Sequence, residues 1–320
     1  MLKNTWGVIL TTVALLEPAS ALDFSLQPRF KSGIHYYEYQ AKSFQSPALD
    51  AQGQFPDIRG SVKVNDWLPF VSGGATVFID RFFVDFDAQY SFDGKDDASF
   101  QNQIFLAGSE QFPTDVVSRT DNTMNADFER FEWAISVGFE VYDNLLLFAG
   151  YKQSNTDFKT SIHGNISGFQ AENMAAIPLL TGTYSGQLNI DLEYDGPFVG
   201  TSYNWRIQQG LLNGALTFNF AAAFLDGNVD LNFDNIIANT APGAEAFDSQ
   251  AFSEEQGGDI KGDSIGLSFG VAWRGLTPVS GLTYSIGATG YRYKFDSSNT
   301  PDFNETQVRM DFGLAYAFDI

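Results

Sequence analysis

Hydrophobic and polar residues alternate with a period of two over the last stretch of the chain, Thr306–Ile320. Val308, Met310, Phe312, Leu314, Tyr316, Phe318 and Ile320 are apolar or aromatic, and Arg309, Asp311, Gly313, Ala315, Ala317 and Asp319 between them are charged or small. That period puts the two sets on opposite faces of a β-strand. The same alternation predicts strands over Phe24–Tyr39, Ser61–Phe78 (blurred by Gly and Pro), Phe82–Phe92, Phe128–Val141, Leu145–Phe158, Leu188–Ile207, Ala215–Leu225, Asp263–Arg274 and Leu282–Phe295. The prediction is an all-β chain of about ten antiparallel strands.

The connections alternate in length. Ile79-Asp80-Arg81, Tyr142-Asp143-Asn144, Gln208–Gly210 and Leu276–Gly281 are short, and Asp143-Asn144 has the side chains of an Asx turn. Long connections separate these, over Asp93–Asp127, Lys159–Gln187 and Asp226–Gly262, with shorter ones after the first strand and around Asn299–Pro301.

This arrangement resembles that of bacterial outer-membrane β-barrels, in which long loops face outward and short turns face the periplasm. The resemblance covers the chain after its start and is to an architecture, not to one functional family. It implies a closed, up-and-down transmembrane barrel of about ten strands in the cell outer membrane, surrounded by lipid and lipopolysaccharide. In such barrels the last strand ends on an aromatic residue that the barrel assembly machinery recognises. Here Tyr316, Phe318 and Ile320 are the corresponding positions, and the chain departs from the pattern by ending on Ile320. Trp133, Tyr142, Trp205, Trp273 and Tyr316 fall towards expected strand ends, where amphipathic rings favour the headgroup level.

Met1–Ala21 reads as a secretory signal peptide. Lys3 supplies the positive start, Trp6–Leu16 the apolar core, and Ala19-Ser20-Ala21 the cleavage site. The apolar run is shorter than the ~20 residues a membrane-spanning helix needs. The mature chain is expected to be one domain over 22–320.

Composition fits this picture. The chain has 31 Phe, 13 Tyr, 30 Gly and no Cys. Its mean hydropathy of −0.14 conceals the strands, because two alternating faces cancel in an average. Eighteen Lys and Arg against 39 acids give a net charge of −21, so no nucleic-acid partner is expected.

The strand parity sends Arg29, Lys31, His35, Asp85, Asp87, Arg130, Glu132, Lys152, Arg309 and Asp311 to the inner face. A charge facing lipid at mid-membrane costs ~2–4 kcal/mol, which forces this placement. Two readings follow: an ion-pair network that fills a narrow lumen, or a constriction that selects small polar solutes. Lys31 and Asp311 are expected to pair where the first and last strands meet.

No enzymatic activity and no cofactor are expected. Asp85-Phe86-Asp87 resembles the paired aspartates of omptin proteases, but those enzymes also need a later Asp-His pair, and no His follows His163. Outer-loop acids, among them Asp93, Asp96, Asp97, Asp226 and Asp230, suit divalent cations, though without EF-hand spacing. Ala175–Leu180 adds an apolar patch in the third outer loop. The expected function is a small porin-like channel for ions or polar solutes. The alternative is a non-enzymatic surface protein whose loops bind a partner.

Overall fold

The computed structural model describes residues 24–42, 61–106, 116–170, 176–209, 212–240, 258–296 and 303–319. The expected signal peptide and Ile320 lie outside these residues. The described residues form β1 (Phe24–Lys42), β2 (Ser61–Ile79), β3 (Phe82–Leu106), β4 (Val116–Tyr142), β5 (Leu145–Gln170), β6 (Ala176–Gln209), β7 (Leu212–Thr240), β8 (Gly258–Leu276), β9 (Leu282–Asp296) and β10 (Phe303–Tyr316). A two-residue continuation of β10, β11 (Phe318–Asp319), pairs with the start of β1.

Every strand pairs antiparallel with its sequence neighbours, and β10 pairs with β1 through Gly33 opposite Asp311. The result is a closed ten-stranded barrel. Closure gives every strand a hydrogen-bonded neighbour on each side, β2 and β3 over part of their length, which is what a β-structure surrounded by lipid requires. Phe24 and Phe318 lie at the same end as the tight turns, beside Ile79 and the Asp80–Arg81 turn. Asp80 takes a left-handed backbone there (φ 53°), a conformation that a short polar side chain tolerates.

The strands outrun the expected lengths at the opposite end. The segments expected as the loops Asp93–Asp127 and Lys159–Gln187 are mostly arms of tall β-hairpins, as is much of Asp226–Gly262. Crossing the membrane takes about 9–11 residues, and β6 has 34. The reason is visible along the outer face. Going outward, Phe131 gives way to Glu129, Tyr151 to Gln153, Pro197 to Asp195, Phe224 to Asp226, and Ile265 to Asp263. Beyond that line both faces can be polar, so the strand persists while the hydrophobic period vanishes. Trp133 therefore marks the edge of the lipid-facing band, not the end of its strand.

The interior is layered. Towards the tall hairpins it is filled by Tyr37, Tyr39, Val64, Leu68, Phe128, Phe158, Leu192, Tyr194, Val229 and Phe295, all buried. Phe128 and Phe158 stack at 5.3 Å, and Tyr37 packs on both. Towards the tight turns, inward residues on β7 to β10 are mostly small, such as Asn219, Ala221, Ser268, Gly270, Ser285 and Gly313, with Arg274 and Asp311 among them. Charged side chains occupy the middle.

One seam departs from the regular ladder. β2 and β3 pair from Ile79–Phe82 up to Phe70–Ser91, and β3 carries a bulge between Ser91 and Gly94. Beyond it, side chains do the joining. The Asn65 amide donates to Asp96 Oδ2 at 2.7 Å, and the Lys95 amide to Asp66 Oδ2 at 2.9 Å. Phe128 and Leu68 fill the space over Gly94, where a Cβ would collide with the Phe128 ring.

Candidate functional site

The inward charges meet in two clusters. The first sits near the tight turns. Arg29 reaches from β1 to Asp85 at 2.5 Å and Asp87 at 2.8 Å, both on β3. Thr76 joins them, accepting from Arg29 at 2.9 Å. Alternation fixes this: Asp85 and Asp87 flank Phe86, so both carboxylates face the lumen and Phe86 faces outward.

The second cluster stands at mid-height and draws on opposite sides of the barrel. Glu132 Oε2 on β4 receives Arg309 Nη2 at 2.9 Å, Arg130 Nη2 at 3.3 Å and Lys152 Nζ at 3.3 Å. Arg130 also pairs with Glu305 of β10 at 3.2 Å and donates to Thr156 Oγ1 at 2.6 Å. Lys152 donates to the Tyr293 hydroxyl at 2.7 Å, and the Arg309 guanidinium lies over the Tyr291 ring at 4.5 Å. Arg130 and Glu305 are 2 % and 1 % exposed, so the cluster is dry enough for its charges to act strongly on one another.

His35 belongs to this layer and is fully buried. The expected first strand ended at Tyr39, but β1 continues to Lys42, so His35 lies nearer the middle of its strand. Its Nε2 faces Gln307 Oε1 at 3.1 Å, and its Nδ1 faces Ser91 Oγ at 3.0 Å. Gln307 Oε1 already accepts from Arg309, and Gln307 Nε2 donates to Glu305. An amide oxygen only accepts, so Nε2 of His35 carries a proton, and the ring stands as a spacer between the cations and the Ser91 hydroxyl.

Lys31 and Asp311 do not form the expected pair. Lys31 stands opposite Gly313, and Asp311 opposite Gly33, two positions apart on the same ladder. Lys31 lies along Gly313 and Asp311 beside Gly287. His163, expected in a loop, is on β5 with an exposed side chain. Ala176–Leu180, most of the expected apolar loop patch, begins β6. Tyr316 and Phe318 are outward-facing and pack at 4.6 Å between centroids. Among the described residues, no group of three or more His, Cys, Asp or Glu is placed to hold a metal ion.

Sequence reasoning missed Glu305, Gln307, Tyr291 and Tyr293 as partners in the mid-height cluster. Glu305 was within reach: the parity Gln307, Arg309, Asp311 extends back to it, one residue before the strand was expected to begin.

No protein-family model and no curated protein matches the chain. Its structure is similar to the crystal structure of the outer membrane protease OmpT from Escherichia coli, with a TM-score of 0.52 and 12% identity over 93% of this chain and 99% of that one. That is the fold of an outer-membrane β-barrel. Weaker likenesses are a Pseudomonas aeruginosa FadL homologue (TM-score 0.32, 13% identity, 93% and 90% covered) and the Pseudomonas putida toluene transporter TodX (TM-score 0.26, 9% identity, 94% and 91% covered). At these identities the likeness extends to the fold alone. In this barrel Asp85 and Asp87 are tied to Arg29 beside the tight turns, far along β3 from its other end at Leu106.

Proposed function

We propose that the protein is a stoppered outer-membrane scaffold that acts through the tall hairpins it raises beyond the lipid, and that it is neither an open pore nor an enzyme. One observation carries this reading: the lumen is filled across its middle by the buried Arg130, Glu132, Lys152, Arg309 and Glu305 network. The apolar layer of Tyr37, Phe128, Phe158 and Tyr194 seals it on the outer side. A small porin-like channel needs water along the whole axis, and these two layers oppose that. The two histidines support the non-enzymatic part, since His35 is sealed in the stopper and His163 stands on the outer face of β5. Strands that run well past a crossing, up to the 34 residues of β6, are costly to order unless their outer ends serve a partner. Tyr316 and Phe318 are the residues we assign to recognition by the assembly machinery.

The test is conductance across planar bilayers containing the purified, heat-modifiable barrel. The reading requires a flat baseline. Reproducible ohmic steps at the inserted-protein level would restore the channel.

A further inference from the structure

The mid-height cluster does not balance. Arg130, Lys152 and Arg309 supply three positive charges, and Glu132 and Glu305 supply two negative ones. His35 supplies no negative charge to offset them. One positive charge is left over in a place from which water is largely excluded. An uncompensated buried charge is among the most expensive features a protein can carry.

The same cluster has donors without acceptors. Arg130 Nε, Arg309 Nε and Ser154 Oγ are all buried and have no hydrogen-bond partner. Ser154 is directly opposite Glu132 in the β4–β5 register and two residues from Lys152 on the same face. Among the described residues the Tyr37 hydroxyl and Glu305 Oε2, on the residue that pairs with Arg130, are also unpartnered. Waters could satisfy these hydrogen bonds but would leave the surplus charge in place.

We propose that the barrel holds one small monovalent anion of chloride size at this level, bound through Lys152, Arg309 and Ser154. The charge sets the class. A single surplus positive charge is neutralised by a monovalent ion, whereas a divalent one would invert the sign and add its own desolvation cost. The layering sets the approach. The outer half is filled by large apolar side chains; towards the tight turns Phe148 and Phe198 line the β5–β6 wall, while inward positions of β8 to β10 are small or polar, including Ser268, Gly270, Ser285 and Gly313. On this proposal the ion exchanges from the tight-turn end, along the small and polar inward positions of β8 to β10. The site is compatible with a stoppered lumen but does not require it.

The experiment is heat-modifiable unfolding of the purified barrel at fixed ionic strength, with sodium chloride replaced stepwise by sodium gluconate. A ligand that binds only the folded state raises the unfolding midpoint with the logarithm of its concentration once it exceeds its Kd. The wild type should show that rise in chloride, and a lower, flat midpoint in gluconate. Lys152→Met removes the surplus charge and should abolish the chloride dependence. Ser154→Ala, a smaller change, should shift the dependence to higher chloride and keeps the test valid if Lys152→Met fails to fold. Equal midpoints in chloride and gluconate for the wild type would overturn the proposal. A chloride rise unchanged in both variants would also overturn it, by placing the ion elsewhere.

Discussion

Glu132 and Arg309 meet at 2.9 Å across the middle of the barrel, from strands four places apart around its wall. A single carboxylate oxygen there holds three cations together. Removing one partner from a buried ion cluster costs roughly 3–5 kcal/mol, because the others are left uncompensated. Glu132→Gln should therefore lower the temperature at which the folded band disappears on a gel. Glu132→Gln combined with Lys152→Met should lose less than the two single changes together, since it also removes a stranded charge. Additive losses would mean that the residues do not share one dry site.

The lipid face and the lumen face of β8 separate cleanly. Phe269 is 56% exposed on the outer surface, and the neighbouring Ser268 is half-buried and points inward. Phe269→Arg should impair insertion by ~2–4 kcal/mol, measured as the folded fraction in lipid vesicles across a urea series. Ser268→Arg should insert nearly as well as the wild type. Equal impairment at the two positions would contradict the assigned faces.

The Asp66–Asp96 clip should be a local weak point. Bonds from a backbone amide to a charged acceptor contribute about 1.5–3 kcal/mol each, and here they stand where ladder bonds stand elsewhere. Asp66→Ala should accelerate hydrogen exchange at the Lys95 amide, and Asp96→Ala should do so at Asn65. Amides on the β1–β2 ladder, such as that of Tyr37 opposite Asp66, should be unaffected. Faster exchange throughout β2 would show that the clip supports the whole strand.

Above the lipid-facing band, like charges face each other directly. Glu129, Asp157, Asp191 and Asp230 lie in one row across β4, β5, β6 and β7. Partial burial, then Asp191 and Glu129, raise the Asp157 carboxyl above its ordinary value. A raised carboxyl destabilises the folded state at pH values above its folded pKa. That penalty fades as the pH falls to the unfolded value of about 3.9. Asp191→Asn should thus raise the unfolding midpoint at pH 7 in low salt, with the gain shrinking towards pH 4 and in high salt. No gain at pH 7 would show that the row is already neutralised.

Several features were set by the sequence alone. Period-two alternation identified all ten strands, and Glu132, Arg130, Lys152 and Arg309 could only face inward because lipid excludes them. The tight turns at Asp80–Arg81 and Asp143–Asn144 followed from local backbone chemistry. Three things depended on the tertiary structure. The tall hairpins gave no periodic signal, because past Glu129 and Asp195 water meets the outer face and permits any side chain. Which inward charges meet depends on strand stagger around the closed barrel, which put Glu132 with Arg309 and kept Lys31 from Asp311. The reciprocal bonds of Asp66 and Asp96 stand where the β2–β3 ladder has ended, beyond Phe70–Ser91, and two lone aspartates carry no mark of it in the chain.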